Sequence, residues 1–287
     1  MEFKRYKNED YEAVCQFLIA LNERDRTHIH WNWARFEWMA EHPDFDKSLT
    51  GSIGLWLDGG RIVGAAIYDM YFGEAFCGVL PAYFELYPQV LDYAWRELRD
   101  ENGLGICIGE DSVQEIDQAL KQGFLPAEAT ETVLRLDLEL LPAPEMPEGC
   151  RIRELDPGEN LEAFQWLLWQ GFDHGEDRAE FERQEPVEAN RRQHFNPALS
   201  LTAVDERGEL LSYCCLWYQS GTDYAYVEPV CTIPSARHRG FAGALIREAA
   251  RRAQALGAKT AYVISDQVFY RNLGFQTERR FRFYWKK

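Results

Sequence analysis

Apolar positions along this chain follow two periods, and the switches between them mark its elements. A tyrosine-rich apolar run from Tyr224 to Ile233 is stopped by Pro234. Beyond it, Leu245, Ile246, Ala249, Ala250, Ala253 and Leu256 recur at the three-to-four spacing of one helix face. Gly257 stands where a C-cap glycine belongs. This stretch predicts a strand, a turn and a helix from Gly240 to Leu256. The pattern occurs twice in the chain. Residues 3–14 and 151–164 each predict a short strand, a polar turn and an amphipathic helix. Paired strands follow, at 52–57 and 61–68 in the first half and at 199–204 and 209–218 in the second. Asp58-Gly59-Gly60 and Asp205-Glu206-Arg207-Gly208 are the hairpin turns between them. Each half then predicts a long helix (89–100 and 240–256), a short strand and a short helix. A Gly-Phe pair comes next, Gly123-Phe124 or Gly274-Phe275, and an alternating strand closes each half, at 132–138 and 280–285. The Gly-Phe pair lies about 120 residues after the first strand in both halves, which is an internal duplication.

The order β-α-α-β-β-β-α-β-α-β predicts an α/β fold with a mixed sheet in each half. Between the halves, residues 141–149 hold three prolines and no apolar periodicity, and so form the linker. The expected domains are therefore 1–140 and 150–287, which suits a chain of 287 residues.

The chemistry concentrates at the turn after Pro234. Gly240 and Gly243 lack a Cβ and allow close approach of the backbone to a ligand. N–H groups of the first helical turn point outward, and the helix dipole adds partial positive charge, so the turn is a candidate anion site. Arg237, His238 and Arg239 can add cationic groups around it. An ordinary capped helix is the bland alternative.

Arg237-x-x-Gly240-x-Ala242 resembles the Arg/Gln-x-x-Gly-x-Gly/Ala signature of the GCN5-related N-acetyltransferases, the GNAT superfamily. About thirty residues later, Phe269-Tyr270-Arg271-Asn272-Leu273-Gly274-Phe275 resembles the Tyr-x-x-x-Gly-Phe element that closes that fold. With the duplication, the whole chain resembles a tandem GNAT protein: two mixed, mostly antiparallel sheets flanked by helices. The resemblance implies acetyl-coenzyme A (acetyl-CoA) as co-substrate. Its pyrophosphate would lie on the turn formed by Arg237, His238, Arg239, Gly240, Phe241, Ala242, Gly243 and Ala244. Its pantetheine arm would run along Val230, Cys231 and Thr232, where the central strand splays. Tyr270 would protonate the departing thiolate; a phenol, with a reference pKa near 10, holds its proton at neutral pH. Plain strand core and an aromatic packed at a helix–sheet junction are the competing roles for these strand residues and for Tyr270.

The family has no fixed general base. Glu228 is the candidate, a carboxylate in the otherwise apolar run of residues 224–230. Pairing with an arginine at the strand end is its alternative role, and Asp266 and Tyr226 are reserves. An acyl-cysteine route through Cys231 lacks a thiolate-stabilising neighbour. His28, His30, Trp31 and Trp33 are expected in the core rather than on a metal, with the lining of an acceptor cleft as the alternative for the aromatic residues. Residues 173–182 are acidic, and either greet a cationic amine or form a solvated helix face.

The first half departs from the signature. Pro81 matches Pro234, but no arginine-and-glycine turn follows, Glu85 brings negative charge, and Ala119 takes the place of Tyr270. The first domain is expected to be a degenerate copy that binds no cofactor.

Composition narrows the partners. The chain carries a formal charge of −16, and positions 1–140 hold 12 basic against 26 acidic residues. An acidic surface argues against nucleic acid and suits a cationic acceptor or simple solubility. The seven cysteines include no Cys-x-x-Cys pair and are expected to be reduced. With no signal segment and no membrane-length apolar run, the expected compartment is the cytoplasm. The expected activity is direct acetyl transfer from acetyl-CoA to the primary amine of a small, cationic acceptor, without a metal. The rivals are a non-catalytic acyl-CoA sensor and a tandem synthase using another acyl donor or a thiol-precursor amine. Oligomeric state is open.

Overall fold

The computed structural model describes residues 1–42, 44–139, 141–155, 160–184 and 193–287. The first copy runs β1 (Glu2–Arg5), α1 (Tyr11–Leu21), α2 (Trp33–Glu41), β2 (Gly54–Asp58), β3 (Arg61–Asp69), β4 (Tyr71–Val79), α3 (Tyr87–Glu97), β5 (Leu104–Gly109), α4 (Val113–Lys121) and β6 (Leu125–Asp137). The second runs β7 (Arg151–Glu154), α5 (Leu161–Gly171), α6 (Arg178–Phe181), β8 (Ser200–Val204), β9 (Leu210–Trp217), β10 (Tyr224–Thr232), α7 (Phe241–Leu256), β11 (Thr260–Ile264), α8 (Val268–Asn272) and β12 (Gln276–Lys286). The element order expected from the two periodicities is the order observed in both copies. The polar turn expected at 156–159 lies outside the described residues.

The chain divides into two compact units, and they are not its contiguous halves. The first comprises Met1–Leu134, Ile264–Gln267 and Thr277–Lys287; the second comprises Arg135–Val263 and Val268–Gln276. In the first unit the strand order is β1-β2-β3-β4-β5-β12. Neighbours are antiparallel except β4 and β5, which are parallel at Glu74↔Gly105 and Ala75↔Ile106. In the second unit the order is β11-β10-β9-β8-β7. Here only β10 and β11 are parallel, over Tyr224↔Thr260 to Tyr226↔Tyr262. The division differs from 1–140 and 150–287 because β12, the last strand of the chain, takes six residue pairs with β5, from Phe281↔Gly109 to Lys286↔Leu104. Residues 141–149 carry no helix or strand.

Local chemistry explains the second unit's central elements. On α7 the face made by Leu245, Ile246, Ala249, Ala250 and Ala253 is fully buried. Burying each leucine or isoleucine there stabilises the unit by about 1.5–3 kcal/mol. Gly257 ends α7 in the left-handed region at φ 119°, where its N–H bonds Gln254 and the next residue's N–H bonds Ala253. The two copies close alike. The Phe275 N–H donates to the Tyr270 carbonyl at 3.1 Å, and the Phe124 N–H to the Ala119 carbonyl at 3.0 Å. Among the described residues, no helix is long and apolar enough to cross a membrane.

Candidate active site

The turn after β10 is a candidate anion cradle made of backbone. Pro234 opens a 3-10 turn to Ala236, and His238 (φ 61°) and Gly240 (φ 93°) both take left-handed conformations. The amide of Ala244 bonds the Gly240 carbonyl at 3.0 Å. The amides of His238, Arg239, Gly240, Phe241, Ala242 and Gly243 have no acceptor among the described residues, and no side chain caps the helix. A row of free N–H groups at a helix start attracts an anion through hydrogen bonding and the helix dipole together. A Cβ on Gly240 would meet nothing within 4 Å, so that face of the turn is open.

Individual residues of the turn do different work. Ala244 spends its N–H inside α7. Gly243 serves helix packing, since its Cβ position is 3.0 Å from Leu273 Cδ2 beside α8. The Phe241 ring is buried, with the Arg239 guanidinium 5.0 Å from its centre. His238 and Arg239 are exposed beside the free amides. Arg237 is largely committed elsewhere: its Nε donates to the Thr232 carbonyl at 3.1 Å, and Nη2 to the Gly171 carbonyl at 3.1 Å and to Asp173 Oδ1 at 2.8 Å.

The strand before the turn is irregular where chemistry was expected. Between Val227↔Leu216 and Val230↔Cys214, β10 advances three residues for two on β9, a bulge containing Glu228 and Pro229. The Trp217 indole pins it by donating to the Glu228 carbonyl at 2.6 Å. Registered pairing with β11 ends at Tyr226, so Val230, Cys231 and Thr232 keep only β9 as a ladder partner. Ser212 supports them: its Oγ donates to the Cys231 carbonyl at 2.7 Å and lies 2.8 Å from Thr232 Oγ1. Sequence reasoning missed Ser212, although a polar residue in the apolar run of β9 was its signal.

Tyr270 is buried on α8, its ring 5.5 Å from that of Phe275. Burial first, then the nearby Glu228 carboxylate and Cys214, push its phenol well above the usual tyrosine value. The two candidates for proton transfer thus sit within electrostatic reach of one another. Cys231 is buried, and that burial pushes its thiol up to about 12. Tyr226 is fully buried and Asp266 is exposed. In the acidic stretch, Asp173 is ion-paired with Arg237, Asp177 caps α6 by accepting from Ala179 and Glu180, and Glu182 pairs with Arg178.

Residues 161–275 match the model of the acetyltransferase (GNAT) family. The chain carries a GNAT-family domain. The fold of the whole chain is that of tandem GNAT proteins. A GCN5-related N-acetyltransferase from Sphaerobacter thermophilus superposes with TM-score 0.62 at 19% identity, covering 99% of this chain and 95% of that one. A tandem GNAT protein from the clavulanic acid biosynthesis pathway superposes with TM-score 0.60 at 17% identity, covering 99% and 98%. Saccharomyces cerevisiae N-myristoyltransferase with bound myristoyl-CoA superposes with TM-score 0.56 at 13% identity, covering 99% and 78%. A search of curated proteins found no match.

The first GNAT-like copy lacks the cradle. After β4 a 3-10 turn, Pro81–Leu86, leads straight into α3; none of its residues is left-handed, and Pro88 has no N–H to offer. Where β4 and β5 part, aromatic side chains pack in. His30 Nε2 is 3.2 Å from the Cys107 carbonyl, with its ring 3.8 Å from that of Phe281. Phe76 packs against Trp31 at 5.1 Å and His28 at 5.8 Å, and His28 pairs with Glu115 at 3.1 Å. His28, His30, Trp31 and Trp33 are all core residues.

Proposed function

We propose that the protein is an N-acetyltransferase, which binds acetyl-CoA at the second copy's turn and passes the acetyl group directly to the primary amine of a small, cationic acceptor. The six consecutive amides without acceptors, from His238 to Gly243, carry this reading. A pyrophosphate fits them: they are donors only, at a helix start, with two exposed cationic residues alongside. A fold relative described with bound myristoyl-CoA supports an acyl-CoA donor.

In this reading the thioester supplies the acetyl group. The unpaired side of β10 at Val230, Cys231 and Thr232 hydrogen-bonds the pantetheine arm and aligns it. Glu228, in the bulge, takes a proton from the acceptor's ammonium, directly or through water. Tyr270 Oη gives its proton to the departing sulfur. Cys231 keeps its proton at neutral pH, which favours direct transfer over an acyl-cysteine.

Calorimetric titration with acetyl-CoA tests this. The native protein should bind one equivalent in the micromolar range. Gly240→Ala carries the same left-handed strain without charge and should still bind. Gly240→Glu should weaken binding about 100-fold or more, roughly 2.7 kcal/mol, with an unchanged circular dichroism spectrum. Absence of binding to the native protein would remove the donor and with it the proposed reaction.

A further inference from the structure

The arginine of the turn signature does not spend its guanidinium on the anion cradle. Three of its five N–H donors bind protein acceptors: Nε holds Thr232 at the end of β10, and Nη2 holds Gly171 and Asp173 at the end of α5. Nη1 has no partner among the described residues. The loop it grips is tightly seated. A Cβ on Gly171 would lie 2.7 Å from Cys231 Sγ, so only glycine lets α5 end against this strand. Asp173 takes a left-handed φ of 62°, a conformation that needs support from its surroundings. Phe172 between them is exposed. One planar fork therefore joins the strand end, the loop after α5 and, through residue 238 onward, the free amides.

We propose that Arg237 is a positioning residue that couples the Gly171–Gly175 loop to the cradle, so that an anion on the turn tightens the loop over Cys231. This inference rests on the proposed use of the cradle for acetyl-CoA. The physical reason is shared geometry. An anion on the amides beside Arg237 restrains the turn and can also engage Nη1, which fixes the guanidinium plane and with it the two loop contacts. A lysine offers one compact ammonium and cannot reproduce a fork reaching three acceptors.

The test uses the full chain, native and Arg237→Gln, with acetyl-CoA as the probe. Labelling of cysteines by a maleimide, mapped by peptide mass spectrometry, reports the seat of the loop. In Arg237→Gln, Cys231 should label at least about tenfold faster while buried Cys214 and Cys215 stay protected, since loss of an anchoring contact opens the region locally. Arg237→Lys should label like the glutamine variant. Hydrogen exchange of residues 171–177 reports the coupling: saturating acetyl-CoA should slow it in the native protein and leave it unchanged in Arg237→Gln. Equal Cys231 labelling in native and variant proteins would overturn the clamp, and so would simultaneous labelling of all three cysteines, which is general unfolding. Acetyl-CoA-dependent protection that persists in Arg237→Gln, or is absent from a native protein that binds acetyl-CoA, would overturn the coupling. If calorimetry shows no acetyl-CoA binding, the proposed function and the coupling fall together, while the labelling still decides the clamp.

Discussion

At the scale of single residues, the proposed chemistry turns on the proton held by Tyr270. Burial and the neighbouring Glu228 both favour the neutral phenol, so the acid stays loaded across the whole neutral range. The shift is upward, so ionisation of Tyr270 belongs above the free-tyrosine value of about 10. Tyr270→Phe should lower kcat for acetyl transfer about 100-fold, the lower end of what a positioned acid contributes, with acetyl-CoA affinity within a factor of about two. In the pH profile of kcat, no alkaline limb from Tyr270 should appear below about pH 10. A limb near pH 8 that vanishes in Tyr270→Phe would show an acid ionising far too early for this assignment. Tyr270 was legible in the sequence because it lies at a fixed distance from Gly274-Phe275. Its closeness to Glu228 was not, because forty-odd residues and a strand bulge lie between them. Arg237 was legible as a signature residue, yet its acceptors on Gly171 and Asp173 lie more than sixty positions away.

At the scale of elements, a cluster of charges ties α7 to β7. Glu248, nearly buried on α7, accepts from Arg251 at 2.9 and 3.0 Å and from Arg252 at 2.8 Å. Arg252 also reaches Glu154 on β7 at 2.6 Å and the Ala198 carbonyl at 3.0 Å. Burial alone would raise the Glu248 carboxyl, but the hydrogen bonds from Arg251 and Arg252 outweigh it and hold it below the usual range. A depressed carboxyl contributes stability above its unfolded pKa of about 4.3, and that stability is lost as pH falls through the lower folded value. Glu248→Gln should therefore cost about 1–3 kcal/mol at pH 7. The difference from the native protein should shrink below pH 4 in chemical denaturation followed by tryptophan fluorescence. A difference that is constant with pH would mean that packing, and not the charge, is what the substitution removes. The i, i+3 and i, i+4 spacings of this cluster are visible in the sequence; the tie to Glu154 is made only by folding.

At the scale of the whole molecule, the decisive feature is where the last strand goes. β12 pairs with β5 over Phe281–Lys286 and, from Thr277 onward, belongs to the first compact unit. Ending the chain at Gln276 should strip hydrogen-exchange protection from Leu104–Gly109 and lower the first unit's thermal midpoint, while Leu210–Trp217 on β9 stays protected. Equal loss in both stretches would show that the two units do not respond separately. The element order and the lack of an arginine-and-glycine turn in the first copy were readable from the chain. Each depends on periodicity, turn residues and the presence of glycine at given positions, which act over a few residues. The sequence by itself therefore determined which elements form, in what order, and which of the two copies carries the arginine-and-glycine turn. Only the tertiary structure decided which unit the final strand completes, what the Arg237 guanidinium grips, and that Glu228 and Tyr270 share one environment. Those outcomes depend on strand pairing and side-chain contacts between residues far apart in the chain, which local spacing does not encode.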